Sequence, residues 1–314
     1  LNVDADREVF ADEYNLKSAN DTLYSMFGVF SQLQKLSNSY VVLGELRADL
    51  MDVTDGSDVY LKEINNWAIS SDNKYVAKTK DYYAVINSCN YVINNIDTSV
   101  VKGFEKVMYR ELAACKAIRA WTYMQLALNY GSVKYYEKPI LSLSDAETVQ
   151  QQSSISFDEL AAKLIDDLKP YKQVPRPNFG SLFTFDTRNG FFPIRFLLGD
   201  LYLWTGQYEN AANEYHDLMV DRQYILDNSV RNEFEVINGA FTGNVSNINM
   251  INSTSDKITS IASTNQDKPY FSLDSLTLNR KLIPSKLAMR NWDSQRYFYG
   301  YSRGKVVDTI SDTR

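Results

Sequence analysis

Four aspartates, Asp49, Asp52, Asp55 and Asp58, recur every third residue in one short stretch, and closely spaced carboxylates are what a hard cation such as calcium requires. A calcium-binding helix-loop-helix also needs an acidic residue at the twelfth position of its loop. That geometry is missing, so a solvated acidic turn is the better reading. His216 is the single histidine, and with no second histidine and no clustered cysteines a zinc site has no ligand set. A Ser-His-Asp arrangement would have to use His216, yet no Gly-x-Ser-x-Gly elbow is present. The two cysteines, Cys89 and Cys115, fall within apolar helical faces, so no Cys-His nucleophile is indicated. Each fills a small-residue slot, or the pair forms a disulfide if their helices are adjacent. Glycine-rich phosphate loops are absent. Paired carboxylates for glycoside hydrolysis can come from distant positions, which leaves a helical hydrolase open. No metal and no cofactor is expected.

The residues that point instead to binding are aromatic. The chain carries 22 Tyr, 15 Phe and 4 Trp, and tyrosine suits both interlocked helices and surfaces for partly polar ligands such as sugars or peptides. Trp67 and Tyr60 are candidates for stacking on a ligand, with Asn66 as hydrogen-bonding partner and Tyr270 and Phe271 from a later loop. A net charge of −6 and a pI near 5.0 lack the basic footprint that nucleic acid requires. No stretch approaches the roughly 20 apolar residues of a membrane span, and no signal segment opens at Leu1. The expectation is a cytoplasmic protein or one whose targeting segment has been removed.

The elements that must position these residues centre on Pro193 to Tyr215. There Leu198, Gly199, Tyr202, Gly206, Tyr208, Ala211 and Tyr215 fall at the offsets of a tetratricopeptide (TPR) helix hairpin. Gly199 and Ala211 permit close helix approach, Leu198, Tyr202 and Tyr208 supply the apolar body, and Gly206 breaks the backbone between the helices. One such unit cannot bury its face alone, so other helix pairs must stack on it. Apolar periodicity predicts helices over 12–36, 74–96 and 104–130, the last two forming a second, antiparallel hairpin. Ser156 and Glu159 stand at capping-box spacing ahead of a helix that Pro170 stops. Residues 37–73 lose the period and read as a largely irregular excursion carrying Tyr60 and Trp67. After Tyr224, EFEVING alternates like a strand, residues 242–268 read as a long polar loop, and apolar order resumes at Tyr270 and around 282–292. The expected fold class is mainly α, with TPR-like hairpins as scaffold, long irregular loops and few short strands. The expected organisation is a single domain over 1–314, helical to 224 apart from the excursion at 37–73, and loop-rich from 225.

The third helix, CKAIRAWTYMQLALNYGSV, resembles the signature of the SusD/RagB family in Ile118, Arg119, Ala120, Trp121, Tyr123, Leu126, Tyr130, Gly131 and Val133. Upstream, Tyr83, Ile86, Cys89 and Asn90 resemble the family's Tyr-x-x-Ile-x-x-Ala-Asn, and Glu45 with Asp49 its Glu-x-x-x-Asp. Downstream, Pro284, Ser285 and Leu287, then Asp293 and Arg296, resemble its Pro-Ser-x-x-Leu and Asp-x-Arg. Ala114, Cys115 and Lys134 depart from the usual acid, alanine and proline. Family members usually continue beyond Asp-x-Arg into helices that complete the TPR set, so a fragment cut at Arg314 by a trypsin-like protease is expected.

The resemblance implies a SusD-like α-α superhelix and a non-catalytic lipoprotein. It would lie on the extracellular face of a Gram-negative outer membrane, touching the membrane only through a lipidated cysteine upstream of Leu1. Its partner would be a SusC-like TonB-dependent transporter contacted by the TPR face, and its ligand a glycan held on a separate surface. The expected function is capture of oligosaccharide for that transporter. The alternatives are a peptide-binding, RagB-like nutrient-uptake protein and a TPR adaptor whose concave face holds a partner peptide. No matched motif identifies ligand residues.

Overall fold

A computed structural model describes residues 16, 18–76, 79–102, 105–106, 108–182, 185–222, 236–237, 240–241, 281–288, 290, 296–302 and 305–311. In chain order the helices are α1 (Ala19–Gln34), α2 (Ser37–Val41), α3 (Val59–Asn65), α4 (Thr79–Asn95), α5 (Tyr109–Tyr130), α6 (Leu143–Gln151), α7 (Phe157–Leu168), α8 (Ile194–Trp204) and α9 (Tyr208–Arg222). The strands are β1 (Met51–Val53), β2 (Val101–Lys102), β3 (Glu105–Lys106), β4 (Ser181–Leu182), β5 (Phe185–Asp186), β6 (Val236–Ile237), β7 (Ala240–Phe241), β8 (Leu282–Pro284), β9 (Arg296–Ser302) and β10 (Lys305–Ser311). They pair two by two and antiparallel, β1 with β8 and the rest as local hairpins. The architecture is mainly helical, as expected. It divides into two units, the first drawing its described residues from 1–33 and 80–225, the second from 34–79, 226–256 and 263–314.

The first unit is built on α5. Small residues Ala113, Ala114, Ala117, Ala120 and Ala127 and larger Ile118, Tyr123 and Leu126 are all buried on it, so it is covered nearly all round, as a central helix is. Helix α4 runs antiparallel to it: Tyr82 near the start of α4 packs edge-on against Tyr130 at the end of α5, with ring centroids 5.9 Å apart. Helix α1 lies on α5 as well, Thr22 Oγ1 reaching Met108 Sδ at 2.8 Å and Cys115 Sγ lying 3.2 Å from Met26 Sδ. Cys89 and Cys115 are buried free thiols, which settles their role as packing residues. Helix α1 starts later than its periodicity suggests. Leu16 is taken up by a backbone bridge to Ile96, and Ser18 and Asp21 then cap the helix reciprocally. Helix α5 likewise begins at Tyr109, because residues 101–102 and 105–106 pair as β2 and β3.

Helix α7 has the predicted start, with Ser156 Oγ accepting from Glu159 N and the Glu159 carboxylate accepting from Ser156 N at 3.0 Å. Helix α6 has the same box, made by Ser142 and Asp145, and was not anticipated because no residue of it is buried. Helices α8 and α9 form the predicted hairpin. Gly206, at φ +74°, makes the turn, and Gly199 lies directly under the Tyr215 ring. Tyr208, expected in the apolar body, is 69 % exposed instead, since it opens α9 beside the turn.

The second unit corrects the reading of residues 37–73 as largely irregular. Helix α2 runs into a π-helical turn over Val42–Leu46, followed by β1 and α3. Leu43, Leu46, Leu61 and Ile64 are buried there together with Leu282 of β8. The π turn inserts a residue and rotates the apolar face, which erases the 3.6-residue period by which the helix would be recognised. The stretches 242–268 and 270–271 lie outside the described residues.

Candidate functional site

Of the residues proposed to meet a ligand, Tyr60, Asn66 and Trp67 lie on α3 and the turn that ends it; Tyr270 and Phe271 lie outside the described residues. Asp58 caps α3, its Oδ1 accepting from Leu61 N at 3.0 Å. Its other oxygen, Oδ2, accepts from Lys74 Nζ at 2.8 Å and from Tyr75 OH at 3.0 Å. Burial works to raise the Asp58 pKa, but the bonds from Lys74, Leu61 N and Tyr75 outweigh it and hold the carboxyl below its usual value. Glu63, one turn further along, accepts from Ser70 Oγ at 2.6 Å, Ser70 N at 3.2 Å and Asn73 Nδ2 at 2.9 Å. These bonds, led by Ser70's, depress the Glu63 pKa. Asn73 is fully buried, donates also to Tyr60 O at 3.0 Å, and accepts from Tyr75 N at 3.0 Å. Residues 66–76 are thereby folded back onto α3 and fastened at both ends.

Trp67 stands on this frame. Its backbone is left-handed at φ +55° and its side chain is 66 % exposed, a costly conformation for a bulky residue. The indole is held out from a rigid turn, with exposed Ile69 beside it in sequence and Asn66 as the C-cap of α3. Tyr60 is half-buried, with Lys74 Nζ 5.5 Å from its ring centroid, so one face of that ring already has a cation over it. The acidic stretch has structural work: Asp58 caps α3, and Asp52 Oδ1 accepts from Val53 N and from Asn65 Nδ2. Among the described residues no cluster of side chains assembles a metal site.

Within each unit, positions that carry the family resemblance bond to one another, Arg119 to Asn90 in the first and Ser285 to Asp49 in the second. Arg119, 1 % exposed, donates to Asn90 Oδ1 and to Asp167 Oδ2, both at 2.7 Å, and Lys116 joins Asp167. Asn90 Nδ2 and Tyr123 OH both donate to Tyr136 O at 3.0 Å, so the segment after α5 is clamped to the α4–α5 pair. In the second unit Ser285 Oγ donates to Asp49 O at 2.5 Å and Ser285 N to Leu50 O at 3.1 Å, continuing the β1–β8 pairing. Among solved structures, the chain resembles a SusD superfamily protein from Bacteroides vulgatus, with TM-score 0.53 and 16 % identity over 71 % of this chain and 48 % of that one. It also resembles NanU of B. fragilis, with TM-score 0.55 and 19 % identity over 83 % of this chain and 51 % of that one.

The fold is SusD-like.

The chain spans about half the length of the SusD-like structures it matches. No family model and no curated protein matches the sequence. Within the SusD-like fold Arg119, Asn90 and Ser285 are scaffold residues, and their buried bonds explain the spacing at which they stand. Asp167, Glu63 and Asn73 were missed by sequence reasoning, Asp167 and Asn73 because they act through partners distant in sequence. Asp58, read as part of a solvated acidic turn, instead caps α3 and binds Lys74 and Tyr75. No described helix is long and apolar enough to cross a membrane.

Proposed function

We propose that this SusD-like chain binds oligosaccharide at the cell surface, with Trp67 as the stacking platform, and delivers it to a SusC-like TonB-dependent transporter. The observation that carries the reading is Trp67 itself: an indole held out into solvent in a strained backbone, on a turn locked by Glu63, Asn73 and Asp58. Apolar CH faces of a pyranose pack on an indole, and amides such as Asn66 fix orientation. Strain kept at an exposed aromatic residue with no packing benefit fits a binding role. By resemblance to the family, the chain is non-catalytic and lipid-anchored on the outer face of the outer membrane. The α8–α9 hairpin would then face the transporter, and its end carries exposed Leu203, Trp204 and Tyr208.

The test is titration of an oligosaccharide panel by calorimetry. Trp67→Ala is expected to weaken the bound glycan at least tenfold, about 1.4 kcal/mol, as loss of a central aromatic anchor does. Unchanged affinity in a chain that binds glycan would exclude Trp67 as the platform. Turnover of the glycan would exclude the non-catalytic reading, and binding of peptides alone would favour the RagB-like alternative. A lipoprotein signal encoded upstream of Leu1 would support the proposed location.

A further inference from the structure

We propose that Cys89 and Cys115 are a cross-linking site: closed by an oxidant as the chain folds, they staple α4 to α5 with a disulfide inside the first unit. Both are free and fully buried in the structure, so the reduced chain packs them as apolar side chains. They are the only cysteines of the chain, which leaves no competing internal pairing, and the fold puts them against each other. Helices α4 and α5 run antiparallel, and the bond from Arg119 Nη1 to Asn90 Oδ1, at 2.7 Å, fixes their register. Cys89 immediately precedes Asn90. Cys115 stands one turn before Arg119, on the side toward which a long helical side chain leans. The two thiols accordingly meet, Cys115 lying in hydrogen-bonding contact with Cys89 and 3.2 Å from Met26 Sδ. A disulfide needs its Cβ atoms about 3.8 Å apart, and thiols in contact on neighbouring helices reach it by side-chain rotation and a slight approach of the backbones.

The closure is thiol–disulfide exchange with an oxidised thiol carrier such as glutathione disulfide. One cysteine thiolate attacks a carrier sulfur and expels a carrier thiolate. The other cysteine then attacks the cysteine sulfur of that mixed disulfide and expels the second. Two cysteine thiols are oxidised to one disulfide, the carrier disulfide is reduced to two thiols, and the cysteine protons end on the departing carrier thiolates. The surroundings decide when this happens. The hydrogen bond with Cys89 and complete burial push the Cys115 thiol pKa up, and a buried thiol without thiolate character is inert. Exchange therefore belongs to the folding chain, at the stage when α4 and α5 have met and α1 has yet to bring Met26 over the pair. Once covered, the disulfide is shielded from reductant by the same burial. The cross-link closes a loop and removes conformations from the unfolded state, which raises stability. It also pins the helix pair whose Asn90 and Tyr123 clamp the segment after α5. A chain exported through an oxidising compartment meets such a carrier; that setting rests on the proposed surface location, whereas the cross-link itself does not.

The experiment unfolds the full chain in urea with dithiothreitol, removes the reductant, and refolds it with either glutathione disulfide or reduced glutathione. Each sample is then denatured, alkylated and read by mass spectrometry with peptide mapping. Oxidising refolding is expected to give no alkylation and a linked Cys89–Cys115 peptide pair, with a urea midpoint above that of the reduced chain. Reducing refolding should leave both thiols alkylatable. Folded, reduced chain given the same oxidant should close more slowly than refolding chain, by about tenfold or more, because its thiols are covered. The double variant Cys89→Ala, Cys115→Ala should show one midpoint under both conditions; should it fail to fold, the two redox conditions on the unaltered chain decide. No glycan enters this test, so its failure and a failure of the Trp67 reading are separate results. Two alkylatable thiols or two glutathione adducts after oxidising refolding, disulfides between chains in place of the internal one, a linked chain with a lower midpoint, or closure of the folded chain as fast as the refolding one overturns the proposal.

Discussion

Replacing Gly199 by alanine is expected to destabilise the α8–α9 hairpin through a single contact. A methyl at that position would lie 2.7 Å from Tyr215 Cζ and 2.8 Å from Cδ1, with Cε1 nearer still. Real carbons do not approach so closely, so the ring must move. It cannot swing away freely, because Tyr215 OH donates to Asp200 Oδ1 at 2.5 Å and the ring packs against Phe196. Overpacking costs about 1–3 kcal/mol, and weakening a hydrogen bond to a carboxylate about 1.5 kcal/mol more. Alanine's better helix propensity returns about 1 kcal/mol. The net loss is about 1.5–3.5 kcal/mol, read as a lower midpoint in urea with an unchanged slope. The decisive control is Tyr215→Ala: with the ring gone, Gly199→Ala should become stabilising by about 0.5–1 kcal/mol, reversing its sign. The same loss in both backgrounds would refute the contact as its cause.

Asp167→Ala leaves the Arg119 guanidinium buried without its closest carboxylate and is expected to cost about 3–5 kcal/mol; Arg119→Met with Asp167→Leu should recover much of it, both by denaturant melts. Asp58 has a depressed pKa in the folded chain, so the unfolded chain takes up that proton first as pH falls. Its contribution is therefore present above the ordinary carboxylate range near 3.9 and lost as pH drops through the lower folded value. Thermal melts from pH 6 to 3 should show a fall that Asp58→Asn makes shallower, by under about 1 kcal/mol because the carboxylate is partly exposed. Trp67→Gly should be more stable than Trp67→Ala by about 1 kcal/mol, since glycine occupies φ +55° without strain, while both lose glycan binding.

What could be read from sequence follows how local the cause is. Helix α7 was legible to the residue at its start because the Ser156–Glu159 box is a three-residue code, and Gly206 marked the α8–α9 turn for the same reason. Helix α6 carries an equal code but lies on the surface, so no apolar stripe drew attention to it. Residues 37–73 were opaque because a π turn breaks their period and because β1 finds its partner in β8, far along the chain. For the candidate site, the exposed aromatic residue was legible as a residue type, whereas its frame was not. Asn73 looks like one more turn-former in Ser-Ser-Asp-Asn, yet it is fully buried and ties Glu63, Tyr60 and Tyr75 together. Arg119 stood out by its place in the third helix, but Asp167, which neutralises it, lies 48 positions away.

The bond from Ser285 to Asp49 joins residues 236 positions apart, and this sets an order on synthesis. At roughly 5–20 residues per second, translation leaves β1 waiting on the order of tens of seconds for β8 to emerge. The α4–α5–α7 core closes with residues that are already out of the ribosome. Throughout that interval the backbone of Met51–Val53 lacks the strand that pairs with it in the finished fold, and an unpaired strand edge is where nascent chains mispair with one another. The late segment around Pro284 and Ser285 thus acts as the seal on a partner made long before it, and expression trials that stop short of it are expected to yield aggregation-prone protein.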